Sequence, residues 1–376
     1  MLYTIPDYYD DFTCIADACE DTCCAGWQIV IDKESLQKYK RIRGSFRKRM
    51  LKSVNWFNST FRQDKDKRCA FLNGNNLCDL YLAQGENGLC KTCREYPRHT
   101  EEFEGVREIT LSLSCPEVAR IVMNRKEPVQ FISYEKDGDE EFEDFDPFLY
   151  SVLDDARAKM IHLLQNRSLT VAERAVLVLG MAHDMQGRMN RRELFACADV
   201  TDKYGTDKAL AYVREYLEKE PVKEKEIVLA GKMFQHLYEL ELLREEWGVL
   251  LDETTDILYS DLERYRSLKA EFAAYQAMNE DVDIHLEQLL VYFLFTYFPG
   301  AVYDGEIYAK AQLAVYCVWM IWELWMARFI KNEKSLNLEE MTELVYRFSR
   351  EVEHSDLNLK TIEKILEKKW FLKEDK

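Results

Sequence analysis

Apolar residues recur every three or four positions over long stretches of the chain after residue 147. This spacing places them on one face of an α-helix. Pro221 and the segment Phe298-Pro299-Gly300 interrupt the pattern and predict helix ends. The pattern predicts helices over residues 148–165, 170–190, 207–218, 223–247, 257–277, 283–297, 304–332, 337–354 and 359–370.

The most apolar of these stretches, residues 311–327, raises the question of a membrane span. It contains Gln312 and Glu323 and falls short of the roughly 18 to 20 uninterrupted apolar residues that cross a bilayer. We therefore expect a central core helix and no membrane contact.

The first 130 residues lack the long helical pattern and contain many turn-forming residues, such as Asn73-Gly74. Residues 27–31 and 108–113 are rich in β-branched side chains and predict short strands, and residues 33–53 predict a basic helix. Eight acidic side chains follow in residues 135–147, where like charges favour a solvated linker. We predict an irregular cysteine-rich, metal-binding domain over residues 1–130, an acidic linker over 131–147 and an α-helical bundle over 148–376, a mainly α protein.

Composition and charge exclude some classes of protein. Of 376 residues, 47% are hydrophobic, which is enough apolar surface for a sizeable core and excludes a disordered chain. The net charge of −17 argues against a nucleic-acid binder, because neutralising phosphates needs a basic surface. The first residues have neither a basic nor an apolar signal segment, so we expect a cytoplasmic protein with reduced thiols.

Nine of the eleven cysteines lie within the first 115 residues, whereas Cys197 and Cys317 fall inside apolar helical patterns and are expected in the core. Closely spaced thiolates form tetrahedral zinc sites or hold iron–sulfur clusters, and the spacing leaves both metals open. Nine thiols exceed one set of four ligands, so one or two centres are possible. The candidate ligands are Cys14, Cys19, Cys23, Cys24, Cys69, Cys78, Cys90, Cys93 and Cys115.

The cysteine motifs resemble those of the flagellin lysine-N-methylase family, FliB. The resemblance runs from about residue 3 to 120 and continues more loosely into the aromatic segment at residues 290–298. The same region is similar to a broader group of zinc- or iron-chelating cysteine-cluster proteins. The motifs that carry it are Phe12-Thr-Cys-Ile-Ala-Asp-Ala-Cys, Thr22-Cys-Cys-Ala-Gly-Trp, Cys69-Ala-Phe-Leu, Leu77-Cys-Asp-Leu-Tyr, Leu89-Cys-Lys-Thr-Cys-Arg and Leu113-Ser-Cys-Pro-Glu.

The resemblance implies methylation of lysine side chains on flagellin or a related filament protein. It also implies S-adenosylmethionine as the methyl donor and an iron–sulfur cluster, [4Fe-4S], on these nine cysteines, with zinc as the alternative metal. It identifies no catalytic base and no donor-binding residue, and it leaves the oligomeric state open.

Two motifs of related chemistry are absent from the sequence. No Gly-x-Gly-x-Gly follows a predicted strand, so a Rossmann-type donor site is not indicated. The Cys-x3-Cys-x2-Cys motif of radical enzymes is missing too, because Cys24 directly follows Cys23. A zinc-binding structural or interaction module and a redox-sensing iron–sulfur protein therefore stay as alternatives to the methyltransferase.

Overall fold

The computed structural model describes residues 1–368, with the backbone alone for residues 220–226. The first third of the chain forms strands that the cysteine motifs do not indicate. The strands are β1 (Leu2–Pro6), β2 (Val54–Asn55), β3 (Thr60–Phe61), β4 (Arg98–Phe103), β5 (Val106–Leu111) and β6 (Phe131–Glu135).

Four of these strands form one sheet in the order β4-β5-β1-β6. Strands β4 and β5 form a hairpin whose two-residue turn ends at Gly105, with φ +71°, a conformation that glycine adopts without strain. Strand β1 pairs parallel with β5 and antiparallel with β6. The predicted strand at residues 108–113 is thus close to β5, whereas residues 27–31 make only an isolated bridge, from Val30 to Thr60.

The predicted acidic linker over residues 131–147 differs from the structure at its start. Residues 131–135 form β6, since this strand completes the sheet by pairing along the whole of β1. Residues 136–146, which carry most of the acidic side chains, have no helix or strand.

The helices of the first third are short: α1 (Lys33–Arg41), α2 (Arg47–Ser53), α3 (Asp79–Gln84), α4 (Lys91–Glu95) and α5 (Pro116–Met123). The single helix predicted over residues 33–53 is wrong. The chain turns between α1 and α2 at Gly44, whose φ of +84° is incompatible with a continuous right-handed helix.

After residue 146 the described chain is almost entirely helical, as the apolar spacing predicts. The helices are α6 (Pro147–Leu164), α7 (Val171–Asn190), α8 (Cys197–Tyr204), α9 (Asp207–Glu218), α10 (Glu220–Gln235), α11 (Glu245–Leu258), α12 (Leu262–Met278), α13 (Asp281–Tyr297), α14 (Ala301–Asp304), α15 (Ile307–Lys331), α16 (Leu338–Glu353) and α17 (Asp356–Leu366). The predicted helix 359–370 overlaps α17, and its residues 369 and 370 lie outside the described residues.

The helix predicted over residues 223–247 is also wrong, because α10 ends at Gln235 and α11 begins at Glu245. Between them the chain becomes extended at Arg244. The backbone N–H groups of Leu243 and Arg244 donate to the carboxylate of Glu351, at 2.8 and 3.0 Å. These long-range bonds replace the helical ones that the local pattern predicts.

The main core lies between the helices and extends without a break into the sheet and α5. The guanidinium of Arg157 on α6 donates twice to the carboxylate of Glu108 on β5, at 2.5 and 2.6 Å, and both side chains are buried. Among the described residues, one helix, α15, is long and apolar enough to cross a membrane by length and composition, yet 72% of its apolar window is buried inside the protein. This degree of burial is typical of a helix in the core of a protein.

A second, smaller core lies within residues 29–93 and contains thiols. Its buried side chains are Ile29, Ile31, Tyr39, Met50, Val54, Phe61, Cys69, Phe71, Leu80 and Cys90. The division of the molecule therefore differs from the sequence-based one: the sheet and α5 share the helical core, and the cysteine-bearing segment between them packs separately.

Candidate functional site

Five of the nine candidate cysteines come together at the edge of the small core. Cys69 and Cys90 are buried in it, and Cys24, Cys78 and Cys93 pack against it. The backbone N–H of Cys69 donates to the carbonyl of Cys24 at 2.8 Å, which joins the first cysteine segment to the second. We call these five residues the inner thiol group.

Within the inner thiol group, the thiols influence one another. The pKa of Cys90 is lowered, chiefly by a hydrogen bond from the thiol of Cys93, whose own pKa is raised. Burial raises the pKa of Cys69 to about 12, and the charges on Cys24, Cys78 and Cys90 add to that rise. Mutual repulsion of this kind means that several thiolates together need a cation, which a bound metal would supply.

Helix starts position three of the thiols. Cys78, Cys90 and Cys115 stand at the residue immediately before α3, α4 and α5, respectively. Burial raises the pKa of Cys115 to about 11, and the backbone N–H groups of Val118 and Glu117 in the first turn of α5 oppose that rise. First-turn N–H groups favour a thiolate in this way because they are otherwise unpaired.

A second set lies beside the first and consists of Cys19, Cys23 and Cys115, which we call the outer thiol group. The hydrogen bond with Cys24 and burial raise the pKa of Cys23, and the charge of Cys115 adds to that rise. Burial raises the pKa of Cys115, and the charge of Cys19 adds to that rise. Adjacent Cys23 and Cys24 connect the two groups: the Cys23 thiol donates to Cys24 and lowers the pKa of Cys24 to about 7. Cys14 has an exposed thiol and takes part in none of these interactions.

All eleven cysteines are free thiols, and Cys197 and Cys317 are fully buried in the helical core. Among the residues that the structure describes, no group of three or more His, Cys, Asp or Glu side chains is arranged to hold a single metal ion. The donor set nonetheless has the chemistry of a soft-metal site, since it consists of thiols from separate segments of the chain.

Arg350 on α16 holds the cysteine-bearing loop against the helical core. Its buried guanidinium donates to the carbonyls of Ser114, Thr22 and Asp21 and forms an ion pair of 2.7 Å with the carboxylate of Asp21. Its charge opposes the burial-driven rise in the pKa values of Cys19 and Cys115, opposes the rise in the pKa of Cys23, and adds to the lowering of the pKa of Cys24 by its hydrogen bond with Cys23.

Arg244, in the loop before α11, adds a second contact to the same segment. Its guanidinium pairs with Asp21 at 2.8 Å and donates to the carbonyl of Ala25 at 3.1 Å. Gly26 lies so close that a Cβ there would stand 2.6 Å from Nε of Arg244, and its φ of +93° also requires glycine. Two cations of the helical part therefore fix the loop that carries Cys23 and Cys24.

His354, the residue immediately after α16, continues this contact region. The ring of His354 stacks on Trp27 at 4.6 Å and meets the edge of Tyr96 at 5.6 Å. Burial lowers the pKa of His354 to about 3, and Arg350 contributes to the shift, so the imidazole is neutral. Sequence reasoning missed Arg244, Arg350 and His354, because their partners lie more than 200 residues away along the chain.

Fold and site together define a class: a mainly helical protein whose helical part holds a thiol-rich N-terminal segment in place. The sequence model of the FliB lysine N-methylase C-terminal domain matches residues 157–373 of this chain. That match covers more than half of the chain, which therefore belongs to the FliB family. No solved structure matches the chain.

Curated relatives agree with this assignment. The flagellar biosynthetic protein FliU of Salmonella muenchen is 29% identical over 129 residues, which are 32% of this chain and 76% of that protein. The lysine-N-methylases of Salmonella choleraesuis and Salmonella typhimurium are also 29% identical over 129 residues. In those two comparisons the match spans 32% of the curated protein, about a third of its length.

Proposed function

We propose that this protein is a cytoplasmic lysine N-methyltransferase that transfers the methyl group of S-adenosylmethionine to lysine side chains of flagellin or a related filament protein. The observation that carries the proposal is the match of the FliB lysine N-methylase C-terminal domain over residues 157–373. The names of the relatives, a flagellar biosynthetic protein and two lysine-N-methylases, support the substrate class.

The reaction is a nucleophilic displacement. The lone pair of a deprotonated lysine amine attacks the methyl carbon of the sulfonium; a C–N bond forms, the C–S bond breaks and S-adenosylhomocysteine leaves. The amine proton goes to water or to a nearby base, and no electron donor is needed. The protein has to bring the two reactants together in line and keep the lysine neutral.

We further propose that the activity depends on a metal centre held by the cysteines, [4Fe-4S] in preference to zinc. The inner thiol group of Cys24, Cys69, Cys78, Cys90 and Cys93 would hold it, with the outer thiol group as neighbours. A cluster held by only three of these thiols would leave its fourth iron able to bind the amino and carboxylate groups of the donor. The chain's own contribution is to hold the loop of Cys23 and Cys24 through Arg350 and Arg244.

The test starts from protein purified without oxygen. We expect iron and acid-labile sulfide at about four each per chain, and transfer of labelled methyl groups from S-adenosylmethionine to lysines of unmethylated flagellin. Zinc alone in a colourless protein that transfers no methyl group would overturn the proposal and favour a structural module. Reversible absorbance changes without methyl transfer would favour a redox sensor.

Two cysteine variants locate the metal. Cys90→Ala removes a thiol of the inner group, and we expect iron content and methyl transfer to fall more than about tenfold. Cys197→Ala is the matched control, because Cys197 is equally buried but lies in the helical core. Equal iron content in the two variants would show that the inner thiol group does not bind the metal.

A further inference from the structure

A cleft of about 880 Å³ opens between the cysteine-bearing loop and the helices of the family domain. Glu20 and Asp21, which stand between Cys19 and Cys23, form one wall together with the end of α5. The start of α11 and most of the length of α16 form the other wall. The volume lies within the range of ligand sites in proteins, about 300 to 1,000 Å³. The cleft therefore has the size of a binding site and lies beside the outer thiol group.

The charges of the cleft do not balance. Seven carboxylate side chains line it against four guanidinium groups. Each of the four arginines is already paired with a carboxylate of the same cleft: Arg120 with Glu20, Arg244 and Arg350 with Asp21, and Arg347 with Glu343. No cation of the cleft is left over, so a ligand that enters it meets surplus negative charge.

Two of the seven carboxylates have no partner. Glu246 at the start of α11 and Glu339 at the start of α16 are exposed, and within the described residues neither carboxylate forms an ion pair or a hydrogen bond. They lie on two different helices, α11 and α16, which together form one wall of the cleft. The surplus negative charge is therefore on that wall. An ammonium group is the ligand chemistry that unpaired carboxylates attract.

Trp247 places an unpaired hydrogen-bond donor beside the cleft. It lines the cleft beside Glu246, only 4% of the residue is exposed, and its indole N–H has no hydrogen-bond partner among the described residues. Buried donors without an acceptor are rare in folded proteins. A polypeptide supplies both missing partners, because it carries backbone carbonyls as well as lysine ammonium groups.

We propose that this cleft binds the lysine-bearing segment of the protein substrate, an inference that rests on the proposed methyltransferase function. Glu246 and Glu339 attract the lysine ammonium, and a shift of the Trp247 side chain, whose indole N–H is buried beside the cleft, lets that N–H donate to a backbone carbonyl of the same segment. Asp21 borders both the cleft and the loop of Cys23, so a segment in the cleft reaches the thiol-rich side of the molecule.

The experiment compares two double variants of the full chain, each of which removes two exposed carboxylates. Glu246→Gln with Glu339→Gln changes the cleft; Glu104→Gln with Glu140→Gln changes the hairpin turn and the acidic segment. We expect the cleft variant to raise both the Kd and the KM for unmethylated flagellin about tenfold, as loss of two exposed charge contacts does. The control variant and the KM for S-adenosylmethionine should stay within about twofold of wild type.

Direct binding is measured by calorimetry, with flagellin and with trilysine as probes, so that the inference does not depend on turnover. A wild-type chain that binds neither probe would overturn it, as would a cleft variant that binds flagellin like wild type. A rise in the KM for S-adenosylmethionine alone would assign the cleft to the methyl donor and also overturn it.

The proposed binding site and the proposed function can fail separately. If wild type binds flagellin through the cleft but transfers no methyl group, the proposed function fails and the binding site stands. If wild type methylates flagellin and the cleft variant does so with unchanged KM, the function stands and the site is elsewhere. Trp247→Phe, which removes only the N–H donor, should weaken flagellin binding several-fold if the backbone contact exists.

Discussion

Glu323 brings a carboxylate into the centre of the helical core, where it is fully buried. Tyr265 and Tyr259 donate hydrogen bonds to it at 2.6 and 3.0 Å, and the indole N–H of Trp319 donates at 3.1 Å. Burial raises the pKa of Glu323 to about 7, although these donors and the charge of Lys269 favour the ionised form. The folded protein therefore takes up a proton here that the unfolded chain has released.

This shift predicts a pH dependence of stability. The folded pKa is raised above the ordinary value of 4.5, so the free energy of unfolding falls as pH rises from about 4.5 to 7 and then levels off. The full loss is about 3 kcal/mol, of which about 2 kcal/mol falls between pH 5.5 and 8. Urea unfolding of Glu323→Gln should show a loss smaller by that amount, whereas Glu104→Gln should follow wild type. Identical pH profiles for all three proteins would contradict the assignment.

The grouping of the nine candidate cysteines could be predicted only in part from the sequence. Their density and spacing predict that they act together, and eight of them do lie in two neighbouring groups. The sequence does not separate the inner group from the outer one, because that division depends on which thiols pack on the small core, a contact between segments far apart along the chain. Nor does it indicate that Cys14 is exposed.

At the level of elements, helices whose first residues carry their own capping signal were predictable. Thr170 and Asn337 each form reciprocal hydrogen bonds with a glutamate three residues later, so α7 and α16 begin where the sequence indicates. The break between α10 and α11 was not predictable from the sequence, because its cause is Glu351, more than 100 residues further along the chain. Local pattern carries no information about such a partner.

Helix α16 offers a test of the contact that holds the cysteine loop. Arg350→Lys keeps the charge but loses the planar fork that reaches Asp21, Thr22 and Ser114 together, so we expect a loss of about 2 kcal/mol in stability. Amide hydrogen exchange in residues 19–25 should become faster. Arg347→Lys is the control on the same helix, since Arg347 is more exposed and pairs only with Glu343, at 2.7 Å. Equal effects of the two substitutions would refute the role given to Arg350.

For the whole molecule, the sequence predicts a cysteine-rich half and a helical half, and the structure divides the chain differently. Apolar residues of β5 and α5, such as Leu111 and Val118, belong to the helical core. Only the segment between the sheet strands has a core of its own, with ten buried side chains, two of them cysteines. Strand β1 pairs with β5 and β6, more than 100 residues away, so the sheet joins the two ends of the N-terminal region.

The small core predicts how the molecule responds to loss of its proposed metal. The small core has ten buried side chains, two-residue strands and short helices. A core of this size gives little stability unless a disulfide or a bound metal cross-links it. Treating the protein with a chelator should therefore speed amide exchange in residues 29–93, while α13 and α15 keep their slow exchange, because their core contains none of the candidate ligands except Cys115. Cys90→Ala should reproduce the pattern without chelator, and Cys197→Ala should not. Loss of protection in both cores together would mean that they unfold as one unit, and unchanged exchange in residues 29–93 would mean that no metal organises them.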